Sequence, residues 1–162
     1  MGSLANIAWI VVWVYENILP STLMMFILLA SLIAIYLRLD IGRTKAGLKE
    51  KIAVHLPFSV YLGWITVAAI GNVAISLTVV NWDGWGLGDV FWIVLMIAVA
   101  TLVTVTVILT RKDLGYSLVI IWALAGIIVK QIEIQNIVLT ATIGSVIVLV
   151  TLTATLLRAS RL

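Results

Sequence analysis

The stretch VFWIVLMIAVATLVTVTVILT, residues 90–110, contains no charged side chain. At a rise of about 1.5 Å per residue, a helix of this length matches the hydrocarbon core of a bilayer, which is about 30 Å thick. The many Val, Ile and Thr residues would favour a strand in water, but an open strand in lipid leaves backbone amides unpaired. A barrel strand would alternate polar and apolar positions, which this stretch does not do. We therefore predict a transmembrane helix.

The whole chain has the same character. Its 162 residues are 64% hydrophobic and 10% charged, whereas soluble domains are about half apolar and about one quarter charged. Charged and turn-forming residues divide the chain into six apolar runs, namely Leu4–Asn17, Ser21–Leu39, Leu56–Val80, Val90–Thr110, Leu114–Val129 and Asn136–Leu157. The first and fifth runs are short for a membrane span. The prediction is an all-α integral membrane bundle of about six transmembrane helices, forming a single domain over residues 1–162.

The basic residues predict the orientation of this bundle. Of the ten Lys and Arg residues, all but Lys130 lie at the end of the second run or after it, after the fourth run or at the C-terminus. Because basic connections stay in the cytoplasm, six crossings would place both termini there. Tyr15, Trp82 and Trp85 lie towards the opposite side, where an aromatic belt is expected. We expect an integral protein of a bacterial or archaeal cytoplasmic membrane.

Few side chains are suited to catalysis. The chain has no Cys, and its one histidine, His55, has no second His at ligand spacing, so we expect no metal site. We interpret His55 as an interfacial residue at a helix start, ahead of Pro57. All seven carboxylates fall at helix ends or in connections, so none is available mid-membrane for proton coupling. The basic residues form no groove for nucleic acid. We therefore expect neither an enzyme nor a nucleic-acid-binding protein.

Two asparagines lie inside apolar runs. An amide in hydrocarbon needs a hydrogen-bond partner, so we expect Asn6 and Asn72 to face the bundle and support helix packing, with ligand contact as the alternative. Trp64, Ala68 and Asn72 follow at i, i+4 and i+8, which predicts that they share one stripe of the third helix. Such a stripe suits either a neighbouring helix, brought close by nearby glycines, or a flat ligand.

These residues carry a resemblance to a known family. The chain resembles the tryptophan-rich sensory proteins of the TspO or mitochondrial benzodiazepine-receptor type in the order of three motifs. These motifs are residues 6–9 (NIAW), residues 56–58 (LPF) and the stripe of Trp64, Ala68 and Asn72. Residues 57–64 (PFSVYLGW) and 122–127 (WALAGI) resemble a longer bacterial branch of that family. No counterpart of the family's first two helices is recognised, which implies a truncated, engineered or naturally reduced bundle.

The resemblance implies a non-catalytic membrane sensor or binding protein for a flat hydrophobic ligand, such as a porphyrin or a related tetrapyrrole. Aromatic walls suit such a ligand, because stacking and burial of apolar area require no charge. The candidate ligand-binding residues are Trp9, Trp13, Trp64, Ala68, Asn72, Trp82 and Trp85.

Besides this ligand, the expected partner is the lipid bilayer. One alternative function is a structural or assembly subunit that associates with itself or with another membrane protein and binds no small ligand. A small-molecule transporter is the third, although the absence of mid-membrane charge disfavours it.

Overall fold

A computed structural model describes residues 2–44 and 47–159, and these form six helices without any strand. The helices are α1 (Gly2–Val14), α2 (Ile18–Arg38), α3 (Leu48–Val79), α4 (Gly88–Arg111), α5 (Leu114–Lys130) and α6 (Gln135–Ala159). The predicted all-α class and helix number are confirmed. Four helices, α2, α3, α4 and α6, are long and apolar enough to cross a membrane, whereas α1 and α5 are shorter. Lys45, Arg161 and the end of the predicted domain lie outside the described residues.

The helices pack in the spatial order α1, α2, α3, α5, α6, α4. The main core is built from buried side chains of α2, α3, α4, α5 and α6, and its fully buried members include Met25, Leu28 and Ile137. Many large apolar side chains face outward, as expected for helices that lipid surrounds. The central pair α3 and α5 therefore has one face against the core and one face turned outward.

Helix α3 begins at Leu48 rather than at the predicted Leu56. Residues Lys51–His55 form one wide π turn, and Pro57 follows in the next turn. Proline lacks an amide hydrogen and its ring clashes with the carbonyl four residues earlier, and a wider turn relieves this conflict. The helix therefore passes through Pro57 instead of starting there. His55 is buried at the end of the π turn, with Nε2 4.0 Å from Oε1 of Glu50.

Asp113 caps the N-terminus of α5 and joins three helices through its carboxylate. Oδ1 accepts a hydrogen bond from the amide of Tyr116 at 3.1 Å. Oδ2 accepts from the hydroxyls of Tyr36 on α2 and Ser59 on α3, both at 2.7 Å. Asp113 is only 6% exposed, so these protein donors take the place of water. The carboxylate thereby fixes α2, α3 and α5 relative to one another at one end of the bundle.

The connection after α2 packs against the end of α4. Arg111 donates to the carboxylate of Asp40 at 3.0 Å, and its guanidinium carbon lies 5.3 Å from the centroid of the Tyr36 ring. Arg43 donates from Nε to the carbonyl of Thr110 at 3.1 Å. These contacts bring two of the basic connections to the same end of the bundle.

Gly42 lies at the closest point of this contact. Its φ of +86° is unfavourable for any other residue, and a Cβ built there would overlap the carbonyl oxygen of Arg111. We expect Gly42→Ala to lower the free energy of unfolding by about 1–3 kcal/mol. Gly71→Ala is the matched control, because Gly71 lies within a helix and has open space beside it. Thermal unfolding in dodecyl maltoside, followed by circular dichroism, compares the two, and equal melting temperatures would contradict this packing.

The Asp113 contacts predict a second difference in stability. Asp113→Ala removes the acceptor of three buried donors and should lower the free energy of unfolding by about 1–3 kcal/mol. Tyr36→Phe removes a single donor and should cost about 1 kcal/mol. The control is Asp83→Ala, because that carboxylate is exposed and, among the described residues, accepts a hydrogen bond only from the nearby amide of Trp85. A parent-like melting temperature for Asp113→Ala would show that this carboxylate does not hold the helices together.

Candidate functional site

The structure distributes the predicted site residues over several places. The tryptophans lie in three separate groups, in which the ring centroids are 6.2 Å apart for Trp9 and Trp13, 5.6 Å for Trp82 and Trp85, and 5.3 Å for Trp64 and Trp122. The first pair lies on α1, the second in the connection between α3 and α4, and the third between α3 and α5. The seven candidate residues therefore do not line a common wall.

The connection between α3 and α4 folds around a further tryptophan, Trp92. Its Nε1 donates to the carbonyl of Gly84 at 3.0 Å, and its ring lies 4.8 Å from the ring of Trp82 and 5.6 Å from that of Trp85. The carboxylate of Asp83 accepts from the amide of Trp85 and closes a short 3₁₀ turn. Trp82 and Trp85 thus stabilise this connection, at a position typical of an aromatic belt.

Trp64 and Asn72, the two ends of the predicted stripe, face different neighbours. Each step of four residues turns by about 40° around the helix axis, so Asn72 lies about 80° from Trp64. Trp64 is 48% exposed and lies beside α5, whereas Asn72 is 5% exposed. The hydroxyl of Thr22 on α2 lies 3.4 Å from the backbone carbonyl of Asn72, which places this residue at the contact between α2 and α3.

The two asparagines differ in their surroundings. The side-chain amide of Asn72 donates to the carbonyl of Ala68 on its own helix at 3.0 Å. Its Oδ1 is buried without a hydrogen-bond partner among the described residues, and so is Nε1 of Trp9. Asn6 is partly buried on α1. Asn72 therefore contributes to the contact with α2 through its backbone rather than through its side-chain amide.

Two open grooves flank the ring pair of Trp64 and Trp122, and each has a volume of about 390 Å³. Both rings are outward-facing, with exposures of 48% and 64%. The first groove is lined by these rings together with Leu56, Val60, Gly115, Leu118 and Val119. The second is lined by the same rings together with Val67, Ile93, Ala123, Gly126, Ile127, Lys130 and Gln131. We call this surface the α3–α5 face.

The ring pair lies deep along this face. Trp122 is eight residues after Leu114 and eight before Lys130, which places it about 12 Å from either end of α5. Belt tryptophans lie at the level of the headgroups, so a mid-helix position needs another explanation. The two rings are tilted by 40° to each other and form an angled aromatic wall. Such a wall can stack against a flat apolar molecule.

Close contact between α3 and α5 forms the floor beneath the first groove. A Cβ on Gly115 would lie 3.0 Å from Cβ of Ser59, and a Cβ on Gly63 would lie 3.1 Å from Cβ of Val119. Gly126, in contrast, has open space above it and leaves room in the second groove. Glycine therefore serves two purposes here, since it permits close packing at one end and widens the surface at the other.

Two residues that this geometry makes prominent, Trp122 and Asp113, were not among the predicted ligand-binding residues, although Trp122 belongs to the 122–127 motif that carries the family resemblance. Trp122 lies on the α3–α5 face because α5 packs beside α3. The sequence signal for this position is its spacing of seven residues from Gly115, which places both residues on the same side of α5. Asp113 precedes an apolar run, which is a typical position for a helix cap. Within the described part of the chain, no three His, Asp or Glu side chains are grouped closely enough to hold a metal ion.

Comparison with known proteins agrees with the resemblance noted from the sequence motifs. The family described as TSPO-like protein matches residues 1–154, a range that contains the first five helices and most of α6. No curated protein and no solved structure matches the chain. Because the family match extends over nearly the whole length, the chain belongs to the family of TSPO-like proteins.

Proposed function

We propose that this chain is a non-catalytic membrane sensor or binding protein that takes a flat hydrophobic ligand, such as a tetrapyrrole, on its α3–α5 face. The observation that carries the proposal is the outward-facing pair of Trp64 and Trp122, which lies mid-helix between two open grooves. Membership of the TSPO-like family and the four long apolar helices indicate an integral membrane protein.

Competition with lipid decides which molecules this face would favour. Lipid tails are as apolar as the groove, so hydrophobic burial alone gives a ligand little advantage there. Aromatic stacking adds about 0.5–1.5 kcal/mol beyond area burial, and it requires a flat partner. An acyl chain would also lose conformational entropy in the groove, whereas a rigid ring system has little to lose. Both effects favour a rigid, flat ligand over the surrounding lipid.

The lining of the face supports binding rather than chemistry. Apart from Lys130 at one end, the groove residues carry no titratable side chain. The nearest buried carboxylate, Asp113, already accepts three hydrogen bonds from the protein. General acid–base catalysis needs a titratable group within reach of the substrate, and the ring pair offers none.

The proposal is tested by titrating the purified protein with protoporphyrin IX in dodecyl maltoside. Following the porphyrin absorbance makes the readout independent of the number of tryptophans in each variant. We expect Trp64→Ala and Trp122→Ala each to raise Kd about tenfold, because each removes one stacking surface. Trp85→Ala is the control, since this tryptophan is also exposed but lies in the connection between α3 and α4, and its Kd should equal that of the parent.

Two results would count against this assignment. Unchanged Kd values for both Trp64→Ala and Trp122→Ala would place the ligand elsewhere. A loss of affinity in Asn72→Ala with parent-like thermal stability would favour a site at the contact between α2 and α3, where this residue is buried.

We also infer that the bundle end containing Asp113 faces the cytoplasm, which would place both termini there. The contacts of Arg111 and Arg43 support this orientation, because they join two basic connections at that end. A green fluorescent protein fused after the C-terminus should fluoresce, and alkaline phosphatase at the same place should be inactive. Fusions made after Gly86, in the connection between α3 and α4, should show the reverse pattern, with active alkaline phosphatase and no green fluorescence. Phosphatase activity at the C-terminus would contradict the inferred orientation.

A further inference from the structure

The second groove of the α3–α5 face ends at a cation. Lys130 is the last residue of α5, and it lines this groove together with Gln131. Lys130 is exposed, and in the part of the chain that the structure describes its ammonium group forms no salt bridge. The groove therefore combines an aromatic wall with a positive charge that is free to bind an anion.

The distance between the two features sets the size of a matching ligand. Lys130 follows Trp122 by eight residues on one helix, so its backbone lies about 12 Å further along the axis than the backbone of Trp122. Ala123 and Gly126 contribute only small side chains between them, which leaves the groove open along this length. A rigid body of about this length, together with the flexible stem of Lys130, can therefore connect the rings with the ammonium group.

We propose that the ligand of the α3–α5 face is a flat carboxylic acid, whose apolar body lies on Trp64 and Trp122 and whose carboxylate binds Lys130. The proposal rests on the proposed function of this face and adds a requirement for negative charge. Among the described residues that line the two grooves, Lys130 is the only charged one, so charge complementarity selects an anion. The flexible stem of lysine allows its ammonium group to reach the polar edge of the bilayer, where a carboxylate stays hydrated in part.

The inference is tested with two probes that share one ring system, protoporphyrin IX and its dimethyl ester, titrated in the neutral detergent dodecyl maltoside. The parent should bind the acid about fivefold more tightly than the ester, as expected for one partly exposed ion pair. Lys130→Gln should remove this preference by weakening the acid about fivefold, and it should leave the ester within about twofold. Lys112→Gln is the matched control, because it removes the same charge at the opposite end of α5 and should leave both affinities unchanged.

The outcomes separate this inference from the proposed function. If Trp64→Ala weakens both probes but Lys130→Gln leaves the ratio of acid to ester affinities unchanged, the charge requirement is wrong and the aromatic site stands. If Trp64→Ala weakens neither probe, or neither probe binds the parent, the proposed function fails and this inference fails with it. Displacement of the bound ester by phosphatidylglycerol but not by phosphatidylcholine would identify an anionic lipid as the occupant, which would also overturn the inference.

Discussion

A carboxylate enclosed by apolar helices must find its hydrogen-bond donors in the protein, and Asp113 meets this condition by drawing together three helices. Its donors come from Tyr36 on α2, Ser59 on α3 and the first turn of α5. Because breaking up a buried, hydrogen-bonded charge is strongly unfavourable, this contact allows little sliding of the helices past one another. Trp122 lies about 13 Å further along α5, so its position opposite Trp64 depends on a polar contact at the helix end.

The order of the helices decides which surface stays open. Helix α4 packs mainly on α6, and α1 packs on α2. Neither of these two outer helices therefore covers the outward-facing side of α3 and α5. Only Ile93 of α4 reaches the second groove. An aromatic pair that would be an ordinary core contact in a closed bundle is thus left facing outward.

Much of the fold could be predicted from the sequence, because hydrophobic runs bounded by charges are a local signal. The six helices and the short length of the first and fifth followed from it directly. The early start of α3 did not, since residues 48–55 are mixed in polarity and a π turn ahead of Pro57 has no simple signature. The roles of Trp122 and Asp113 depend on which helices become neighbours, and no local pattern encodes that. Trp64 and Asn72 do not face one neighbour, because a spacing of eight residues turns by about 80° around the helix axis.

The π turn at Lys51–His55 has a consequence for how this chain could vary in evolution. A π turn holds one residue more than an α-helical turn, so deleting a single residue there would restore regular helix. Because the wide turn takes up the extra residue, Lys49 and Glu50 would keep their direction relative to Trp64 and the rest of α3 after such a deletion. A deletion in the regular part of α3 would instead turn the segment before it by about 100° relative to the aromatic face. The π turn is therefore the place in α3 where the chain can lose one residue without changing the direction of either segment.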